Sequence, residues 1–174
     1  MNQKAIFLDR DGVLNVEIGD YVYRPEDFEI APHVPEALQL LKSAGYKLIV
    51  VTNQGGIAKG LYTAQAVWDC HEKLQKSCNH ALDALYYSPY HDSTSKSLMR
   101  KPDSLMFERA IARFGINPQE SWIIGDAERD LIAGHKVGVQ GILVPTLKEK
   151  QSKYAKLVAE NLWEAAKAIV ENRL

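Results

Sequence analysis

AIFLDRDGVLN, residues 5–15, passes without a break from four apolar residues to an acid, a base, a second acid and a glycine. A short continuous apolar run reads as a strand covered on both faces, unlike the alternating pattern of a sheet with one face in water. Gly12 then supplies a turn residue directly after the charged triplet. Asp9 and Asp11 therefore stand at the carboxyl end of a buried strand. Taken alone, the same pattern also describes an ordinary acidic surface turn.

The same grammar repeats outward from this stretch. KLIVV (47–51), ALYYS (84–88), WIIG (122–125) and GILV (141–144) read as further buried strands. Helical patterns lie between them: VPEALQLLKSAG with Val34, Leu38 and Leu41 on one face, a stretch from Thr63 toward His80, and DSLMFERAIARFG. In the last of these Asp103 is the expected cap and Gly115 the expected stop. ERDLIAGHKVG closes near Gly138, and a final helix is expected from about Lys153 to Glu171. Strand–helix alternation of this kind predicts an α/β fold, a Rossmann-like three-layer sandwich around a central parallel sheet. No repeat or linker interrupts it, so residues 1–174 read as one domain.

In an open parallel sheet, ligands bind beyond the carboxyl ends of the strands. The second strand ends in Thr52-Asn53-Gln54-Gly55-Gly56, a hydroxyl and amides followed by glycine backbone. Arg100-Lys101-Pro102 brings fixed positive charge just before the third helix, and the fourth strand ends in Gly125-Asp126 with Asp130 one helical turn on. Each of these is unremarkable by itself. Together they gather several aspartates, a lysine and a hydroxyl at one end of the sheet. Such a cluster is repulsive without a cation, and oxygen-only ligands favour magnesium. The lysine and hydroxyl suit a phosphoryl group, whose spread charge needs positioned donors.

DRDGVLN, VVTNQGGIAKG, RKP and GDAERD resemble, in order and spacing, the four motifs of the haloacid dehalogenase superfamily of aspartyl phosphatases. The resemblance runs from about residue 5 to 145 and looks closest to the branch holding D-glycero-D-manno-heptose 1,7-bisphosphate 7-phosphatase and histidinol-phosphate phosphatase. It implies that Asp9 is the nucleophile and Asp11 the acid and base, with Thr52 and Lys101 holding the transferring oxygens. Asp9, the backbone carbonyl of Asp11, and Asp126 would ligate Mg2+, with Asp130 behind them. Arg100 would grip a second phosphate, and Asn15, Glu17, Asp20, Asn53 and Gln54 would meet sugar hydroxyls. The expected reaction is removal of the 7-phosphate of the heptose bisphosphate, with histidinol phosphate as the alternative substrate; a nucleic-acid 3′-phosphatase and a silent binding protein are more distant readings.

Many members of that branch carry a zinc loop after the third strand, with a cysteine, a histidine and a Cys-x-Cys pair. Here Ser88, Tyr90 and Ser97-Leu98-Met99 stand near those places, and His91 alone cannot complete a four-ligand site, so no structural zinc is expected. The intervals between motifs are filled by strand–helix units, which leaves no room for a large cap domain. Two long loops, Asn15 to Pro32 and Pro89 to Pro102, are left to choose the substrate. Tyr21 and Tyr23 in the first either pack on the body or stack on a substrate ring.

The net charge of −1 shows no bias toward nucleic acid or an anionic membrane. No apolar run approaches a membrane span, and MNQKAIFLDRDG lacks the apolar core of a secretory signal. Cys70 and Cys78 would lie roughly 12 Å apart along one helix, too far to bridge. Two free thiols suit a cytoplasmic protein acting on a small phosphorylated metabolite.

Overall fold

The structure, a computed structural model, describes residues 3–145 and 150–173. Among these, six parallel strands form one sheet: β1 (Ala5–Leu8), β2 (Lys47–Asn53), β3 (Ala84–Ser88), β4 (Trp122–Gly125), β5 (Gln140–Leu143) and β6 (Ala155–Val158). Their spatial order is β3-β2-β1-β4-β5-β6. The helices are α1 (Val34–Ser43), α2 (Ala64–Ser77), α3 (Leu105–Phe114), α4 (Glu128–His135) and α5 (Leu162–Val170). Thr63 caps α2 by accepting from Ala66 N, and Gly115 ends α3 with φ +61°.

Alternation along each strand divides the core into two layers. Ile6, Leu8, Leu48, Val50 and Ile124 face one side, where α1, α2 and α5 bring Leu38, Leu41, Leu74 and Ile169. Ala5, Phe7, Ile49, Val51 and Ile123 face the other, where Met106 and Phe107 of α3 and Leu131 of α4 cover them. Both faces of the central strands are dry, which is why their sequences are uninterrupted apolar runs.

The expected final helix from Lys153 to Glu171 is corrected. Its first part is β6, and α5 begins only at Leu162, capped by Asn161 Oδ1 accepting from Glu164 N at 3.0 Å. β6 is an edge strand whose residues alternate between half-buried and exposed. Ala155, Val158, Ala159 and Leu162 also fit a helical spacing, so periodicity alone does not separate the two readings there. Two smaller boundaries move as well. Ser104, not Asp103, precedes α3, and Cys78 lies just past the end of α2. Cys70 and Cys78 are both buried free thiols.

The strand order places the site. The chain runs outward from β1 through β2 to β3, then returns to the other side of β1 with β4. The crevice between β1 and β4 is the topological switch point, where parallel sheets open beyond their carboxyl ends. Asp9 and Asp126 follow the last residues of these two strands. The connections from β1 to β2 and from β2 to β3 hold one helix each, α1 and α2, apart from a single 3-10 turn at Pro25–Asp27. No large cap is inserted among the described residues.

Candidate active site

Asp9 extends the β1–β4 ladder by one rung, its N–H donating to Ile124 O at 3.0 Å. That fixes the direction of its carboxylate, which accepts from Arg10 N at 2.8 Å and pairs with Lys101 Nζ at 2.9 Å. Lys101 also pairs with Asp130 Oδ1 at 2.8 Å and donates to Val51 O at 2.7 Å. All three donors of a fully buried ammonium are thereby directed at oxygen. Burial alone would lower the Lys101 pKa, but Asp130 and Asp9 outweigh it and the group is held above its usual value. The Asn53 amide closes on the Lys101 backbone from both ends, donating to its carbonyl and accepting from its N–H, each at 3.0 Å.

One carboxylate oxygen from each of Asp9, Asp126 and Asp130 lies within 4.8 Å of the others. Three buried carboxylates face one ammonium here. Burial first, then Asp9 and Asp130, push Asp126 up to about 8, and burial and Asp9 also raise Asp130. Asp126 Oδ1 is buried without a hydrogen-bond partner among the described residues. With all three carboxylates ionised the cluster would exceed its lysine by two negative charges, the charge of one divalent cation, and it holds an oxygen aimed at no hydrogen-bond donor among the described residues. An all-oxygen donor set of this kind fits magnesium. The Gly12 turn passes close over Asp126: φ there is +84°, and a Cβ would sit 2.5 Å from Asp126 Oδ2. Asp130 is less free than the other two. Its Oδ2 accepts from Ala127 N at 3.0 Å at the start of α4 while Oδ1 holds Lys101.

Asp11 is held from three sides. Arg10 grips it with Nε and Nη2 at 2.9–3.2 Å, Asn15 Nδ2 donates to Oδ1 at 3.2 Å, and Gln54 Nε2 donates to Oδ2 at 3.1 Å. Gln54 Nε2 also reaches Thr52 Oγ1 at 3.0 Å. Several residues expected to meet the sugar thus reach protein groups in this structure. Asn15 is wholly buried against Asp11, Gln54 bridges Asp11 and Thr52, and Asn53 is closed on Lys101.

The remaining expected contacts sit on the rim. Glu17 and Asp20 are exposed, bonding Gly19 N and Tyr21 N respectively. Arg100 donates to Asp92 and to the Tyr90 carbonyl, both at 3.1 Å. His91 accepts from Ser93 N at 3.1 Å and packs near Gly55. Tyr23 stacks on Tyr62 at 5.0 Å and Tyr21 meets the same ring edge-on at 5.8 Å, so the packing reading of the two tyrosines is the one found.

Two residues escape the sequence reading. Arg10 is only 2% exposed and anchors both Asp11 and the Val22 carbonyl, at 2.7 Å for the latter. An arginine between two acids looks like solvated charge until the chain turns and folds it inward. Tyr62, whose hydroxyl donates to Gln54 Oε1 at 2.8 Å, carries no local signal at all.

A family model described as HAD-hydrolase-like matches residues 98–165. The chain is 38% identical over 149 residues to the D-glycero-beta-D-manno-heptose-1,7-bisphosphate 7-phosphatase of Haemophilus ducreyi, covering 80% of this chain and 81% of that one. It is 36% identical to the protein of the same name from Pasteurella multocida, over 96% and 97% of the two chains. Its fold matches the crystal structure of the D,D-heptose 1,7-bisphosphate phosphatase from B. bronchiseptica complexed with magnesium and phosphate, with a TM-score of 0.88. That match is 24% identical and covers 98% of this chain and 99% of the other. The structural match speaks for the fold and the two relatives speak for the family. The chain belongs to the haloacid dehalogenase superfamily, in the branch of the heptose-bisphosphate phosphatases, and is a phosphatase.

Proposed function

We propose that this phosphatase removes the 7-phosphate of D-glycero-D-manno-heptose 1,7-bisphosphate by way of an aspartyl-phosphate on Asp9. The observation that carries the chemistry is the buried Lys101 bridging Asp9 and Asp130 beside the unsatisfied Asp126. The shared name of relatives matching nearly end to end supports the substrate. Asp9, the Asp11 carbonyl and Asp126 would hold Mg2+, which when bound neutralises the carboxylates and the phosphoryl oxygens. A carboxylate oxygen of Asp9 attacks phosphorus as the bond from phosphorus to the sugar oxygen breaks. Asp11, kept in place by Arg10, Asn15 and Gln54, gives its proton to that oxygen. It then takes a proton from the water that hydrolyses the acyl phosphate, which frees inorganic phosphate and restores the Asp9 carboxylate. Lys101 and the Thr52 hydroxyl hold the transferring oxygens throughout.

Arg100 at the rim suits the second phosphate, for which it would exchange its bond to exposed Asp92. Asn15, Gln54 and Asn53 act on the catalytic groups, and Glu17 and Asp20 are left to meet sugar hydroxyls. No helix among the described residues is long and apolar enough to cross a membrane, and two buried free thiols support a cytoplasmic setting. Phosphate release from the heptose bisphosphate and from histidinol phosphate, each with and without Mg2+, tests the proposal. Higher kcat/KM for histidinol phosphate would sink the heptose reading, and release unaffected by chelation would sink the metal.

A further inference from the structure

Gln54 is 1% exposed, so its amide must find all its partners inside the protein. Its single NH2 group serves both Asp11 Oδ2 and Thr52 Oγ1, at 3.1 and 3.0 Å. Turned by 180°, the amide would present oxygen to the Asp11 carboxylate, and an attraction would become a repulsion. The far end of the amide resists that turn. Tyr62 donates its hydroxyl to Gln54 Oε1 at 2.8 Å, and burial pushes the phenol up to about 12, so it remains a donor.

The Tyr62 ring is itself clamped. Tyr23 stacks on it with planes 9° apart, and Tyr21 meets its edge. On the other side, a Cβ at Gly56 would lie 2.1 Å from Tyr62 Cε1, so glycine there makes the space the ring occupies. The loop from Asn15 to Pro32 is thereby connected to Asp11 and Thr52 through one aromatic ring and one amide.

We propose that Tyr62 is a positioning residue for the phosphatase reaction: its hydroxyl fixes the Gln54 amide so that one NH2 group aligns Asp11 and Thr52 together. This rests on the roles given to Asp11 and Thr52 above. The loop of Tyr21 and Tyr23 then serves catalysis by gripping the Tyr62 ring, without touching substrate.

A double-mutant cycle separates positioning from plain stability. Tyr62→Phe keeps the ring and its stacking and removes only the hydroxyl. It should lower kcat for the heptose bisphosphate about tenfold, a fraction of the roughly 10²–10⁴-fold that positioned acid–base groups supply, with KM within about twofold. In a Gln54→Ala background the same change should lower kcat by less than about twofold, since the hydroxyl then has nothing to orient. Gly56→Ala, which pushes the ring from its other face, should show the same dependence on Gln54. A Tyr62→Phe kcat within about twofold of the parent, or a tenfold loss that persists in full without Gln54, overturns the proposal. Asp11→Asn measured alongside keeps the two readings apart. If it stays active, the role of Asp11 is wrong; if it is inactive while Tyr62→Phe is unaffected, only the role of Tyr62 is wrong.

Discussion

The floor and the rim of the site are built by opposite means. The floor is Asp9, Lys101, Asp126 and Asp130, all buried, with Lys101 tying Asp9 and Asp130 together and to the Val51 carbonyl. The rim is Glu17, Asp20, His91 and Arg100, polar groups on two loops and held by local bonds at the surface. The two loops differ in the same sense. Residues 15–32 sink Val22 and Phe28 into the core and lock three tyrosines together, whereas Leu98 in the second loop is 67% exposed. A charge in the floor has a low-dielectric surrounding and few alternatives, so each partner matters. A charge on the rim can exchange its partner for water or for substrate at small cost. The proposed chemistry thus falls to the floor and the proposed selection to the rim.

Breaking the floor should have the largest effects. Asp9→Asn removes the proposed nucleophile and should lower kcat by about 10⁴-fold or more with little change in melting temperature, as steady-state kinetics and a thermal melt would show. Retained turnover would mean that another group attacks phosphorus. Lys101→Met should cost both activity and stability, because it leaves Asp9 and Asp130 buried without their cation. Breaking such a pair costs about 3–5 kcal/mol, which urea unfolding would measure in the presence of chelator.

The charge balance of the floor gives a pH test. In the cation-free protein the raised Asp126 pKa, about 8, means that the folded state holds a proton the unfolded state has lost. Stability without metal should therefore fall as pH rises from about 4 toward 8. Added Mg2+ displaces that proton, so its increase in melting temperature should be larger at the upper end of this window than in the middle. An increment independent of pH would argue against Asp126 as a ligand.

Rim changes should be smaller and dependent on substrate. Arg100→Ala should lower kcat/KM for the bisphosphate by about 10- to 100-fold, the worth of a charge-assisted contact, and affect a simple monophosphate far less. Equal loss on both would place Arg100 with the floor. Asp92→Ala breaks an exposed pair and should change stability by less than about 1 kcal/mol, read by urea unfolding.

Much of this is legible in the sequence, and for a physical reason. Strands covered on both faces must be apolar throughout, so AIFL, KLIVV and WIIG announce themselves, and the residues after them are confined to the sheet's open end. β6 was not legible, because Ala155, Val158, Ala159 and Leu162 carry the spacing of a helix face across a strand of only four residues. Asn15, Asn53 and Gln54 look like surface amides in the sequence, since an amide's partners are set by what folds over it. Arg10 and Tyr62 were hidden for the same reason, Arg10 being turned inward onto the Val22 carbonyl and Tyr62 onto Gln54 only by the fold of the loops.

The sequence by itself determined the alternation of strands and helices and the residue types at four strand ends, because burial and turn geometry act locally. Tertiary structure alone decided that Lys101 stands between Asp9 and Asp130, that Asp126 Oδ1 has no hydrogen-bond partner among the described residues, and that Gln54 joins Arg10 and Asn15 in gripping Asp11. The Lys101 pairs and the Gln54 contact depend on the order in which strands pair and on loops meeting across the sheet, and no short window of sequence contains both of their partners.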